Sequence, residues 1–171
     1  IPAIRGKEEP ILTGKGFKLL PDQKTYIASE DGHVRLHKYE MNVSPLVIVD
    51  QILPCDEPLS FESDVHIKGN VSGPVTINTT GDLLIDGFVN DAEIHCGGNL
   101  LLRSGINATS ITNPSTVNKR VISKFFEYVT LHADGNISFG SSLNSSLSSY
   151  GEIISYGKKG GIIGGTCYAE K

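Results

Sequence analysis

Residues Gly81–Ile106 read GDLLIDGFVNDAEIHCGGNLLLRSGI, and this stretch decides the fold. Its opening phrase, Gly81–Ile85, returns 17 residues later as Gly98–Leu102, and Ile94 returns at the same step as Ile111. A fixed period of this length, opened by glycine and filled with alternating apolar residues, is typical of stacked β-coils. The sequence therefore predicts an all-β chain whose main part is a β-solenoid.

The composition suits a fold with many turns and a narrow aliphatic core. The 171 residues include 19 glycines, one methionine and no tryptophan. The 15 lysines and arginines are outnumbered by 19 aspartates and glutamates, which gives a net charge of −4. Neither half of the chain is basic, so we do not expect nucleic acid as a partner.

The cysteines indicate a reducing compartment. Cys55, Cys96 and Cys167 are odd in number and form no CxxC pair, which favours free thiols in the cytosol over a disulfide framework. The sequence shows no signal peptide and no stretch that would span a membrane. Because it begins at Ile1 without a methionine, we expect the sequence to be an excised fragment.

Residues 1–58 lack the period and are predicted to form a small β-rich module that caps the solenoid. Lys24–Ala28 and His33–Lys38 flank a turn at Glu30–Gly32, a pattern that indicates a β-hairpin. Two more strands are expected at Met41–Val43 and Leu46–Val49. The module should join the solenoid near the prolines at positions 54 and 58.

The solenoid is predicted over residues 59–171, with about five to six coils. After a first coil from Asp64, coils open at residues 81, 98, 119, 135 and 151, with steps of 17, 21, 16 and 16. The long step contains a polar loop around Asn113–Ser115. Uneven coils of this kind favour a right-handed parallel β-helix over a left-handed one with strict six-residue repeats. The glycine-rich segment Gly160–Gly165 is predicted to close the last coil.

The alternation assigns the inward side chains. Ile85 should stack between Ile67 and Leu102, and either Phe125 or Phe126 should enter the core. Cys96 follows two inward positions, so we expect an inert core thiol. The residues that define the structural repeat are Gly81, Asp82, Ile85, Gly98, Leu102 and Gly135.

The histidines do not predict a metal site. His95 and His132 occupy equivalent positions two coils apart, with Thr112 expected between them, so their backbones should lie about 9.6 Å apart. Zinc ligands lie about 2.0–2.1 Å from the metal, so this pair is poorly placed to share one. The histidines without a partner at ligand spacing are His33, His37 and His66. We expect no metal and no cofactor.

Two carboxylates form a candidate catalytic pair. Asp64 and Asp82 open adjacent coils and could lie about 5 Å apart, the spacing of retaining glycosidases. The alternative is a turn role, because Asn99 and Asn136 follow glycine in the same column. No aromatic platform for sugar rings accompanies the pair. The turn role is the favoured reading, and a polysaccharide-active β-helix enzyme stays as the alternative.

Two surfaces suggest protein partners. Lys119, Arg120 and Lys124 form the only basic cluster of the predicted solenoid, which is either a solvated face or a contact for an acidic partner surface. The serine-rich coil Gly135–Tyr150 and the end coil after it carry little charge. Because open sheet edges pair readily, we expect self-association there or through a solenoid face, most simply as a two-fold homodimer. The alternative is a monomer in which a segment after Lys171 covers that edge.

The quoted stretch resembles the flagellar assembly protein A family of bacteria, whose pattern is in outline G-D-I-x-V-x-G-x-V-x-x-A-x-I-x-A-G-G-x-I-x-V-x-x-G-I. Ser123–Ala133 and Lys159–Gly165 are similar to two further family motifs, and the similarity covers nearly the whole chain. Lys119–Arg120 departs from it, because the family usually has Gly-Asp there. The turn that enters this coil is therefore expected to differ.

The resemblance implies a non-enzymatic scaffold with a right-handed β-helix core, active in flagellar assembly or placement at the cell pole. It implies a cytoplasmic protein without catalytic residues, and protein partners that include a regulatory cytosolic phosphocarrier protein. Bactofilins also have a solenoid fold, but their motifs agree less well with this sequence. A bactofilin-like cytoskeletal polymer is therefore a further alternative.

Overall fold

The computed structural model describes residues 12–29, 32–109, 113–157 and 161–171. Every regular element in this part of the chain is a β-strand. The chain divides into two compact units that part after Leu46. Residues 47–58, which the sequence analysis assigned to the N-terminal module, belong to the second unit.

The N-terminal unit contains five short strands: β1 (Thr13–Lys15), β2 (Phe17–Leu19), β3 (Tyr26–Ala28), β4 (His33–His37) and β5 (Glu40–Ser44). Strands β2 and β3 form one antiparallel hairpin, β4 and β5 form another, and β1 pairs in parallel with β5. The predicted hairpin between β3 and β4 is therefore wrong, because each of these strands pairs with its other neighbour in sequence. The residues at positions 30 and 31 of its predicted turn lie outside the described residues.

Asp22 closes the turn between β2 and β3. Its carboxylate accepts the Thr25 hydroxyl at 2.6 Å and the backbone N–H groups of Lys24 and Thr25 at 3.0 Å each. These hydrogen bonds, that of the Thr25 hydroxyl first, lower the pKa of the Asp22 carboxyl below its ordinary value. This closed local turn stabilises the pairing of β3 with β2.

The second unit is a β-solenoid of about seven coils, one more than the sequence predicted. Coil 1 contains β6 (Leu46–Val49) and β7 (Leu59–Phe61), coil 2 contains β8 (Asp64–Ile67) and β9 (Val71–Thr79), and coil 3 contains β10 (Leu83–Ile85) and β11 (Phe88–Cys96). Coil 4 contains three strands, which are β12 (Leu100–Leu102), β13 (Gly105–Asn107) and β14 (Ser115–Val117). Coil 5 contains β15 (Val121–Glu127) and β16 (Thr130–Ala133), coil 6 contains the long strand β17 (Ile137–Ser149), and coil 7 contains β18 (Ile153–Ser155) and β19 (Ile162–Ala169).

The coils pair in parallel along three ladders. Ladder A joins β6, β8, β10, β12, the start of β15, the start of β17, and β18. Ladder B joins the first parts of β9 and β11 to β13, the end of β15, the middle of β17 and the start of β19. Ladder C joins β7, the ends of β9 and β11, β14, β16, the end of β17 and the end of β19.

Coil 1 arises from residues that lack the repeat signature. Strand β6 pairs with β8, β7 pairs with β9, and Ile52 forms an isolated bridge to Val71. Ile52 is buried in the core of the solenoid. The coil forms because its apolar residues cover the core row of coil 2, although no Gly-Asp pair opens it.

The core is a stack of single rows of side chains. Ile85 is fully buried and pairs with Ile67 in coil 2 and Leu102 in coil 4. The same row continues in coil 5 with Ser123, whose hydroxyl donates to the Phe125 carbonyl at 2.8 Å, and in coil 6 with Phe139. The large ring after the small serine keeps the row filled, as close packing of a core requires.

Of the two phenylalanines considered for the core, Phe126 points inward. Its ring packs edge-to-face on Phe139, with ring centroids 5.6 Å apart. The Phe125 ring lies outside and covers Gly105, where an added Cβ would come within 2.6 Å of that ring. Phe125 also packs against Phe88 at a centroid distance of 5.5 Å. Gly105 therefore makes room for an external aromatic contact.

The 17-residue step fails in coil 4. Ser115 lies opposite Ile94 and accepts its backbone N–H at 3.0 Å, and Thr116 pairs with both His95 and His132. The positions predicted for these roles, Ile111 and Thr112, lie outside the described residues. The physical reason is the loop before β14, which adds residues to this coil and shifts the register of everything after it.

Candidate functional site

The outward side of ladder C is the most polar surface of the solenoid, and we call it the polar face. Its central column runs along the stack, one residue per coil, through Ser60, Asn78, His95, Thr116, His132, Ser148 and Tyr168. None of the described residues in the strands of ladder C is Lys or Arg. The strands of this face therefore offer hydrogen-bonding groups and no positive charge of their own.

One histidine of the polar face is held by two side chains. His95 Nδ1 lies 2.7 Å from the Thr116 hydroxyl, and His95 Nε2 lies 2.8 Å from Glu93 Oε1. The other oxygen of Glu93 accepts the Asn113 side-chain amide at 2.9 Å. The imidazole is thus fixed between a carboxylate and a hydroxyl, with both ring nitrogens engaged.

A second histidine repeats this arrangement two coils further along. His132 Nδ1 lies 2.9 Å from the Ser148 hydroxyl, and His132 Nε2 lies 3.5 Å from Asp134 Oδ1. The His132 ring also meets Tyr150 edge-on, with centroids 4.8 Å apart. The imidazole thus contacts a hydroxyl, a carboxylate and an aromatic ring on the outer surface. The Ser148 hydroxyl also donates to the Leu131 carbonyl of the neighbouring coil at 3.4 Å.

A pocket of about 560 Å³ opens beside His95. Its polar lining includes Ser60, Glu62, Asn78, His95, Thr116 and Asn118. Gly97 lies in its floor, between Thr80 of coil 2 and Asn118 of coil 4. We call this depression the Gly97 pocket; its volume is typical of a small-ligand or side-chain site.

Gly97 is also required by the backbone. An added Cβ would lie 2.5 Å from the Thr80 carbonyl oxygen, so a side chain at this position would push the two coils apart. The doubled glycine Gly97–Gly98 thus has two separate roles. Gly97 allows the close approach of the Thr80 backbone in coil 2, and Gly98 belongs to the turn that follows.

Cys96 lies beneath the pocket in the core row of ladder C. Its thiol approaches the Gly81 and Asn99 carbonyls at 3.4 and 3.5 Å. Burial raises the pKa of the Cys96 thiol above its ordinary value. The thiol is therefore protonated and unreactive at neutral pH, which agrees with the expectation of an inert core residue.

The two candidate catalytic carboxylates belong to a turn ladder. Asp64 Oδ1 accepts the backbone N–H of Asp82 at 2.8 Å, and Asp82 Oδ1 accepts the backbone N–H of Asn99 at 2.8 Å. Asn136 continues the pattern by accepting the N–H of Glu152 at 3.1 Å. Each Asx side chain thus bonds the next coil, which is the turn role favoured from the sequence.

The basic residues singled out from the sequence lie at the two ends of one strand segment. Lys119 and Arg120 precede β15, and Lys124 follows its first three residues; all three are exposed. Arg120 N–H reaches Asn99 Oδ1 at 3.4 Å, longer than the 2.8 Å bonds of the regular turns. The turn that departs from Gly-Asp therefore holds the preceding coil through a longer hydrogen bond than the other turns. Asn118, the residue before Lys119 in the sequence, lines the Gly97 pocket.

Another charged cluster lies at the corner after ladder A. Asp86 bridges His66, at 2.8 Å from Nε2, and Arg103, at 3.1 Å from Nε. Within the described ranges, no three His, Cys, Asp or Glu side chains come together as a metal-binding group. No helix long and apolar enough to cross a membrane occurs in the same part of the chain.

Comparison with known families decides the assignment. The model of the flagellar assembly protein A β-solenoid domain matches residues 30–171. The chain belongs to the flagellar assembly protein A family. The family and the β-solenoid fold predicted from the repeat are thereby confirmed. No curated protein and no solved structure matches the chain.

The polar face of this flagellar assembly protein A domain was not predicted from the sequence. The sequence predicted no metal site at His95 and His132, included Ser148 only in the serine-rich coil Gly135–Tyr150, and assigned no role to Glu93 or Asp134. These residues come together because ladder C places equivalent positions of successive coils side by side. The doubled glycine at positions 97 and 98 was the available signal, since the other coils open with a single glycine or with none.

Proposed function

We propose that this domain is a non-enzymatic scaffold that binds partner proteins during bacterial flagellar assembly or polar placement. The observation that carries the proposal is the family match over residues 30–171. The seven-coil stack adds a rigid support, because each inner coil hydrogen-bonds both neighbours. The expected location is the cytoplasm, including the cell pole.

We place the partner contact at the Gly97 pocket and the neighbouring Lys119–Arg120 corner. The pocket offers Asn78 and Asn118 as hydrogen-bonding groups in a depression, and Lys119 and Arg120 add two exposed positive charges. A partner that inserts a polar side chain and presents an acidic rim would match both. A cytosolic regulatory phosphocarrier protein is one candidate, and Lys124 extends the basic area along β15.

Gene replacement tests the flagellar role. Deleting the gene should impair motility or move flagella from their normal position, and the wild-type gene should restore both. The double variant Asn78→Ala, Asn118→Ala should reach normal abundance and yet restore less, because it removes two pocket groups from half-exposed or exposed positions. Ser138→Ala, on the outward side of ladder A, is the matched control. Normal flagella in the deletion strain would refute the flagellar role, and full rescue by the double variant would refute the pocket.

The non-enzymatic part of the proposal is supported by the roles of Asp64 and Asp82. Both use Oδ1 to accept a backbone N–H of the next coil. A screen against common polysaccharides should therefore give no turnover. Activity that Asp82→Asn abolishes, while the melting temperature stays the same, would favour the polysaccharide-active alternative instead.

A further inference from the structure

The outward side of ladder A is rich in aliphatic side chains, and we call it the apolar face. Its central column has one residue per coil, which in coils 2 to 7 is His66, Leu84, Leu101, Ile122, Ser138 and Ile154. The hydrogen bond from Lys68 N–H to the Val49 carbonyl sets the register of coil 1 and places Ile48 at the start of the same column. Ile48 is 54% exposed and Ile154 is 43% exposed.

Such a column is unusual for an outward side. Sheets with one face toward water normally alternate apolar inward residues with polar outward ones. The central column of the polar face follows this rule, because none of its seven members is leucine or isoleucine. In the apolar face, Leu84, Leu101 and Ile122 follow one another in three successive coils and are half-buried. A continuous outward row of aliphatic side chains marks an interaction surface.

The charges at the two rims of the apolar face change sign between coil 3 and coil 5. In coil 3, strand β10 has a carboxylate at each end, Asp82 before it and Asp86 after it. In coil 5 the equivalent residues are basic, with Arg120 before the first three residues of β15 and Lys124 after them. Coil 4 lies between, so the backbones of coils 3 and 5 are about 9.6 Å apart within one chain. The rims are therefore opposite in charge on the two sides of coil 4.

We propose that the apolar face binds the apolar face of a second copy of this chain, about a two-fold axis that runs parallel to β12 at the level of coil 4. Rotation about this axis reverses the order of the coils, so coil 3 meets coil 5 of the second copy. Asp82 then faces Arg120 of the second copy. Asp86 faces its Lys124, and symmetry makes each of these contacts twice.

The same rotation matches the central column. Each aliphatic member meets an aliphatic member of the second copy, and the histidine meets the serine. The facing pairs are Leu101 with Leu101, Leu84 with Ile122, His66 with Ser138, and Ile48 with Ile154. Arg103, at the rim of coil 4, faces its own copy, and the Asp86 carboxylate of the same chain offsets this charge at 3.1 Å from Arg103 Nε.

Charge selects this orientation over the other two-fold arrangement. With the axis along the stack instead, each coil would meet itself, so Asp82 would face Asp86 and Arg120 would face Lys124. Both contacts join like charges, which disfavours that complex. A face of seven coils and five residues per strand measures about 34 by 17 Å and buries about 600 Å² per copy. This is less than the roughly 800 Å² of a standard interface, so the dimer should dissociate on dilution.

The contact also bears on the basic corner beside the Gly97 pocket. Arg120 belongs both to that corner and to the rim of the apolar face. An acidic partner at the corner and the second copy would therefore compete for the Arg120 side chain.

Light scattering on a size-exclusion column, over a series of concentrations of the 171-residue chain, tests the dimer. Wild type should be dimeric at high concentration and dissociate on dilution. Leu101→Arg should be monomeric throughout, because two positive charges then meet on the axis. Leu143→Arg is the matched control, since Leu143 is a half-buried outward leucine of ladder B, and it should remain dimeric. A wild type that is monomeric throughout, or a dimeric Leu101→Arg, would overturn the proposal.

Charge reversal at the rim tests the pairing without changing a half-buried residue. Lys124→Asp places a carboxylate opposite Asp86 of the second copy at two symmetric contacts, so the dissociation constant should rise at least about tenfold. Lys68→Asp makes the same change of charge at the same rim, but Lys68 faces Gly140 of the second copy. Its dissociation constant should stay close to that of wild type. Equal effects of the two substitutions would refute the proposed register.

Cross-linking tests the orientation in a Cys55→Ser, Cys167→Ser background. A bis-maleimide about 10 Å long spans the distance between two packed sheets and joins one thiol at each end. Leu101→Cys should link to itself. Leu84→Cys and Ile122→Cys should link to each other in a mixture, and neither should link to itself. Self-linking of Leu84→Cys, or no link in the mixture, would overturn the arrangement. These measurements use purified protein, so their failure leaves the flagellar role untouched, and the reverse also holds.

Discussion

At the scale of single residues, the repeat depends on glycines that leave room for a carboxylate or carboxamide oxygen. At Gly81, Gly98 and Gly151, an added Cβ would lie 2.1–2.2 Å from an Asx Oδ1 of the preceding coil. That oxygen accepts the N–H of the residue after the glycine. The Gly-Asx pair of the sequence motif is therefore one hydrogen-bonded joint shared between two coils.

Replacement of Gly98 should break this joint. Gly98→Ala would force the Cβ onto Asp82 Oδ1 and the Gly81 backbone, so we expect a loss of about 2 kcal/mol and a fall in Tm of about 4–8 °C. Gly161→Ala is the control, because nothing lies within 4 Å of its added Cβ. Thermal melts followed by circular dichroism compare the two variants. Equal Tm values would show that the joint tolerates a side chain.

The Cys96 thiol gives a pH dependence of known sign. Its pKa is raised by burial above the ordinary value of 9.0, so the unfolded chain releases the proton first as pH rises. The thiol therefore leaves stability unchanged below about pH 9 and lowers it between that pH and the folded pKa. Urea unfolding at a series of pH values should show a steeper loss for wild type than for Cys96→Ser, which cannot ionise there. Parallel curves for the two proteins would contradict the assignment.

At the scale of strands and coils, the sequence predicted the inward positions that repeat with the 17-residue period. Ile85 lies between Ile67 and Leu102 because the Gly-Asx joint sets each coil to the same starting point. The period could not predict coil 1, which packs through apolar residues such as Ile52 without that joint. The period also predicted the wrong partner for Ile94, because a loop can gain residues without changing the core. The contacts of the polar face could not be predicted, because the sequence separation of the contacting residues changes from 16 to 21 with the length of the loop. The right-handed sense of the helix stays a prediction.

The alternation within one strand can be tested with neighbouring residues. Ile85→Asp would bury a carboxylate in a row one side chain thick, so we expect a loss of several kcal/mol and little soluble protein. Leu84→Asp changes the next residue, which points out of ladder A and is half-buried. It should fold with a Tm within about 5 °C of wild type. A soluble Ile85→Asp with the wild-type Tm would show that the inward assignment is wrong.

At the scale of the whole molecule, a stack of coils is held differently in its middle and at its ends. Strand β10 pairs on both sides, with β8 and β12, whereas β19 pairs on one side only within the described chain. Stability in such arrays is a sum of contacts between neighbours. Opening should therefore begin at the end coil and reach the middle last.

Hydrogen exchange followed by mass spectrometry measures this gradient. Amides of β10 and β12 should exchange at least about 100 times more slowly than those of Cys167 and Ala169, whose N–H groups face away from β17. Thr166 and Tyr168 are internal controls, because their N–H groups face β17, as that of Glu170 does. Exchange at Cys167 as slow as that of the β10 amides would contradict the gradient.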